Sequence, residues 1–261
     1  MPLSLLRALR RPEGFALVLT AVLLAATGAY LVWMDWGMRN MGQAADMLLM
    51  PRMVAWEAGD LALVFLMWAL MMIAMMAPSA YPTAELTGRV VELARGAAAA
   101  RRSVGALVTG YLLAWIAFSV GATLLHWGLL SAALVSPMWA SSAPALSALI
   151  LIAAGAYQFA PLKHACLRQC QSTLWLIQQC CGWRGLDALR EGLRLGSFCV
   201  GCCWALMAVL FVTGVMNMLW VVLLAIYVLV EKSTPRQTWI PRVAGVSLMA
   251  WGAWLLLGMV R

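Results

Sequence analysis

The sequence predicts an all-α fold: a polytopic transmembrane bundle of about seven helices, forming one membrane domain over residues 1–261. Three observations carry this reading. The first is composition. Of 261 residues, 64% are apolar and only 11% charged, where a soluble domain runs near half apolar and a quarter charged. The same balance excludes a disordered chain. The second is the length of the charge-free segments, which are apolar on every face; barrel strands would alternate apolar and polar residues. The third is an asymmetry of positive charge along the chain. The formal charge of +8 does not point to nucleic acid. No basic patch interleaves with aromatics as strand binding requires, and basic residues in a membrane protein chiefly set orientation.

The spans are about 14–34, 61–80, 104–126, 144–162, 198–214, 216–230 and 243–260, each comparable with the roughly 20 residues that cross a bilayer. The first follows Arg7, Arg10 and Arg11 and has the look of a signal peptide, but its apolar run is too long for a signal core. It reads as a retained helix. The second ends at Pro78, where Ser79 is placed to bond a freed carbonyl. The fifth and sixth share residues 197–230, a stretch of 34 without a charge. One helix of that length would span about 51 Å, beyond a hydrocarbon core of about 30 Å, so a reversal near Gly214–Asn217 divides it. With the N-terminus inside, 15 of the 18 Lys and Arg residues fall on one side and 3 on the other. That is the positive-inside pattern. It sets the N-terminus in the cytoplasm and the C-terminus in the periplasm of a bacterial inner membrane. Two connections are long: an outer Met-rich loop over 35–60 and an inner Cys-containing loop over 163–197.

Sulfur divides by side. All seven cysteines (Cys166, Cys170, Cys180, Cys181, Cys199, Cys202 and Cys203) lie at or near the inner face, where a reducing compartment disfavours disulfides. Cys166 and Cys170 are spaced i, i+4 after span four. Cys199, Cys202 and Cys203 are spaced i, i+3, i+4 at the start of span five. Each set therefore shares a helix face, and both sit at one depth, with His164 beside the first. Thiolate and imidazole suit Cu(I), zinc or an iron–sulfur centre; plain packing and catalytic redox chemistry are the other readings. Cys180 and Cys181 favour packing or a surface position. Methionine shows the opposite geography, with 11 of 18 between Met34 and Met76. Met67, Met71, Met72, Met75 and Met76 line span two. Thioether is a soft ligand selecting Cu(I), so a Met track leading to inner thiols forms a graded soft-metal path. Met is also a flexible filler of apolar cores, and both readings stand.

Polar groups inside the bilayer are costly and therefore informative. Span six places Asn217, Trp220, Leu224, Tyr227 and Glu231 on one stripe. Glu231 lies near the depth of the cysteines, as an oxygen ligand, a proton acceptor or half of an interfacial ion pair. Span four carries Tyr157 and Gln158, and span three carries His126 toward its outer end.

Four pieces, in order, carry a resemblance: the Met-rich span ending Ala77-Pro78-Ser79; Leu162-Lys163-His164-Ala165-Cys166-Leu167-Arg168-Gln169-Cys170; Gly201-Cys202-Cys203-Trp204; and Gly214-Val215-Met216-Asn217-Met218-Leu219-Trp220 closing with Glu231-Lys232. They resemble the bacterial family of predicted metal-binding integral membrane proteins, a domain of unknown function, over about residues 60–250. The resemblance implies a bound metal and points to Cys166, Cys170, Cys199, Cys202, Cys203, Met216, Asn217 and Glu231. Where that family often has a proline after the second cysteine of the Leu-Lys piece, this chain has Ser172-Thr173.

Three function classes follow. The favoured one is binding and handling or transport of a soft transition metal, Cu(I) foremost, with a metal-donor or acceptor protein as partner. No nucleotide-binding loop is present, so an ATP-driven pump is excluded on this chain. The second is a non-catalytic subunit or anchor in a complex with other membrane subunits. The third is a membrane thiol redox protein built on Cys199 and Cys202.

Overall fold

The computed structural model describes residues 25, 28–29, 58–132, 144–171, 180, 182–183, 186–215, 217–234 and 239–260. The elements are α1 (Ala58–Arg95), α2 (Ala97–Ser131), α3 (Pro144–Tyr157), α4 (Pro161–Gln171), α5 (Asp187–Ala208), α6 (Leu210–Thr213), α7 (Met218–Ser233) and α8 (Trp239–Val260). No strand occurs among the described residues, and the all-α expectation holds. By length and composition, α1, α2, the run Asp187–Thr213 and most of α8 are able to cross a membrane; α3 and α4, bent by 62°, make a fifth if taken together. With 16 residues, α7 is only about 24 Å long at 1.5 Å per residue. The predicted span 14–34 and outer loop 35–60 lie almost wholly outside the described residues, as do Met216 and Cys181.

Three boundaries differ from the sequence reading. Pro78 does not end the second span: α1 runs through Pro78 and Pro82 to Arg95. A proline deletes only one donor, and neighbouring groups make good the loss; Ser79 Oγ donates to the Met76 carbonyl at 2.8 Å. At 38 residues, α1 is about 57 Å long. Its charged second half and the start of α2 form a helical hairpin through Gly96, whose φ is 85°, where the sequence reading had a loop. The span 144–162 breaks after Tyr157, and the chain bends into α4. Within the predicted inner loop 163–197, the described stretches 163–171 and 187–197 are likewise helical, as α4 and the first half of α5. The division after Gly214 lies where it was expected: Gly214 has φ 91° and closes α6, and Asn217 caps α7.

Glycines set two seams. A Cβ at Gly110 on α2 would run into the Leu189 carbonyl of α5, and one at Gly192 into the Leu107 carbonyl. Small residues let helix backbones approach this closely. On the other side, Gly155 of α3 meets Gly245 of α8 in the same way. The core lies among α1, α2, α5 and α7 and includes Trp68, Met72, Trp115, Cys203, Leu210 and Val228, all at most 1% exposed.

Candidate metal centre

The α2–α5 seam determines which side chains meet. Gly110 and Gly196 bring Tyr111 against the middle of α5, where Cys199, Cys202 and Cys203 are 2%, 1% and 0% exposed. The spacing predicted from sequence is realised on one helical face. The thiols of Cys202 and Cys203 donate to the Cys199 carbonyl at 3.1 and 2.9 Å, the back-bonding open to a small polar side chain within a helix.

Cys199 is the hub. Its Sγ lies 3.0 Å from the Tyr111 hydroxyl and 2.7 Å from Lys232 Nζ, which donates to it. It also lies 4.0 Å from Met76 Sδ of α1. Lys232 further donates to Ser79 Oγ at 3.2 Å and approaches Met76 Sδ at 3.7 Å. From α4, Cys170 packs against the cluster that holds Cys199 and Cys202. Cys166 packs against the same cluster and faces Gly201, where an added Cβ would stand 2.9 Å from its sulfur. Side chains from α1, α2, α4, α5 and α7 thus converge at one level.

The chemistry of this group is soft. At about 2.3 Å per metal–thiolate bond, two sulfurs on one ion stand at most about 4.6 Å apart, and at about 4.0 Å when the angle between them is trigonal. The Cys199–Met76 separation of 4.0 Å lies in that range. Among the described residues no three His, Cys, Asp or Glu side chains are placed to hold a metal ion, so a closed four-ligand site of the structural zinc type is not preformed there. The pair at 4.0 Å joins a thiol to a thioether, and soft sulfur donors select Cu(I).

A second polar group lies next to the first. Lys163 and Glu231 form an ion pair at 2.7 Å with side chains 0% and 2% exposed. Lys163 also donates to Gln158 Oε1, and the Tyr227 hydroxyl donates to Glu231 Oε1 at 3.2 Å. Gln171 Nε2 donates to the Glu231 carbonyl at 2.9 Å. A buried pair survives only with such support. It ties α4 to α7, and so holds Cys170 and Lys232 over Cys199.

The other sequence-predicted residues fall elsewhere. Met67, Met71, Met72 and Met75 are buried in the apolar core, and Met76 of the Met track reaches the Cys199 thiol. His126 accepts from Trp68 Nε1 at 3.4 Å and stands edge-on to Phe211. Tyr157 donates to the Gly201 carbonyl at 2.6 Å, fastening α3 to α5. Asn217 is exposed and accepts from Leu219 N at 3.2 Å as the cap of α7. His164 is half-buried on α4, and Cys180 is buried in a separate cluster with Val91 and Trp183. Two members of the sulfur group were not expected. Tyr111 had no signal beyond its neighbour Gly110. Lys232 was in view only as the residue following Glu231.

A family model described as PpoB2, copper chaperone, matches residues 65–255. The chain belongs to this copper chaperone family. The matched region takes in every residue of the sulfur group and of the ion pair beside it. The family's description associates it with copper. No curated protein and no solved structure gives a match.

Proposed function

We propose that the chain is a membrane-embedded copper chaperone that takes Cu(I) as cargo on Cys199 and Met76, with Cys170, Cys202 and Cys203 beside them, and passes it to a partner protein. One observation carries the reading: a buried thiol and a buried thioether stand 4.0 Å apart, ringed by further thiols. Thiolate is the form that ligates metals, and the Lys232 ammonium compensates its charge where water is scarce. The membrane part of the proposal draws on the outward faces. Leu219, Val222, Leu223 and Ile226 of α7 are exposed, as are Val246, Trp254 and Leu257 of α8. Such continuous apolar rows mark contact with lipid or with another membrane subunit. The proposal includes seven spans in a bacterial inner membrane, with the N-terminus inside and the C-terminus outside.

The test is metal content. Protein purified in detergent and loaded anaerobically with Cu(I) is expected to retain copper through gel filtration, Cys199→Ser to lose it, and Cys180→Ser to keep it. Copper retention by Cys199→Ser equal to that of the parent overturns the assignment. Reporter fusions after residues 11 and 261 test the sidedness, with a cytoplasmic signal expected at the first and a periplasmic one at the second.

A further inference from the structure

The chain has two lysines, Lys163 and Lys232, and both are drawn into the bundle. Lys163 has an ordinary reason to be there, since it faces a carboxylate. Lys232 has an unusual one. Its close contacts are the Cys199 sulfur, the Met76 thioether and the Ser79 hydroxyl, with Tyr111, Cys202 and Cys203 also near enough to act on its charge. Thioether is a weak acceptor, and a hydroxyl is neutral. The ammonium therefore occupies a place whose surroundings suit a soft cation better than a hard, strongly hydrated one.

Its position is the telling feature. Nζ lies 2.7 Å from one of the two sulfurs assigned to copper and 3.7 Å from the other, while those sulfurs are 4.0 Å apart. An ion bound to both sulfurs would need the space that the ammonium fills. Two cations packed together in a medium of low dielectric repel strongly. Lys232 also has a way out. Its side chain is half-buried, and α7 ends one residue later at Ser233. A long, flexible stem at a helix end can carry its head group outward to water.

We propose that Lys232 holds the cargo's place in the empty protein and is displaced when Cu(I) binds, so that one positive charge leaves the sulfur group as another enters. This rests on the copper reading given above. With Cys199 as the thiolate no covalent bond breaks: the ammonium gives up its hydrogen bonds to Cys199 and Ser79, the metal–sulfur bonds form, and no electron is transferred. The returning ammonium would in turn favour release of the cargo to an acceptor.

The experiment labels amines in the detergent-solubilised full chain with methyl acetimidate, with and without Ag(I), a redox-inert stand-in for Cu(I). Silver binding is read from intact mass and the labelled sites from peptide masses. The expected result is a several-fold rise in Lys232 labelling on silver binding, with Lys163 still protected by Glu231. Lys232 labelling that stays level or falls in silver-bound protein overturns the displacement. So does a parallel rise at Lys163, which would mark general loosening. If no silver binds, the copper reading itself fails, and the mass measurement distinguishes that failure from the others.

Discussion

The two ends of the buried stretch of α1 make an instructive contrast. At one end Trp68, with Met67 and Met71 nearby in the helix, packs with His126 and Phe211. At the other, Met76 and Ser79 meet Cys199 and Lys232. Both ends are buried, and both offer a thioether and a nitrogen donor or a thiol. They differ in what surrounds the soft atoms. The first end is aromatic, with its imidazole already bonded to an indole. The second gathers thiols, a phenol and an ammonium from four other helices. Buried methionine by itself is packing; it becomes a candidate ligand where other helices deliver sulfur and charge to the same level.

The hardest test of this contrast is Glu231→Ala, which strands Lys163 as a buried charge. Breaking such a pair costs about 3–5 kcal/mol. Thermal unfolding in detergent should show that loss, together with loss of copper, and adding Lys163→Met should recover much of the stability. His126→Leu probes the aromatic end. It leaves the Trp68 indole without that acceptor, a penalty of about 1–3 kcal/mol, and copper content should not change; a variant stripped of copper would break the contrast. The comparison is sharpened by paired thioether variants. Met76→Leu should weaken Cu(I) retention against a chromogenic chelator by about tenfold, or about 1.4 kcal/mol, while Met71→Leu should leave it unaltered. Both swaps conserve volume and should cost under about 1.5 kcal/mol of stability. The smallest effect belongs to Asn217→Ala, which removes the α7 cap at about 1 kcal/mol, seen in the melting temperature and not in copper binding.

Composition and the long charge-free segments together were enough for the all-α class, and i, i+3, i+4 arithmetic was enough to put the cysteines of α5 on one face. Helix ends were less legible. Charges and a proline left 81–103 outside the predicted spans 61–80 and 104–126, yet a helix can continue there and carry Glu85 and Arg89 as an i, i+4 pair at 2.6 Å. The sulfur group was half legible. Its thiols announced themselves by spacing, but Tyr111 and Lys232 arrive from helices distant in sequence. Tyr111 arrives through backbone approach at Gly110, Gly192 and Gly196, and Lys232 through the ion pair that ties α7 to α4, neither of which periodicity encodes. Glu231 drew attention as the acidic residue at the right depth; its partner Lys163 became evident only once α4 was seen to fold back against α7.

Glu231 and Lys232 are consecutive, so about 100° of helix rotation separates their side chains. One faces Lys163 and the other Cys199. Turning α7 by one residue in one direction would point the carboxylate at the thiols, and in the other direction the ammonium at Lys163; either setting places like charges against each other. This dipeptide therefore works as an orientation key: a short helix with little length to anchor it is admitted to the bundle in one rotational setting and refused in the adjacent ones.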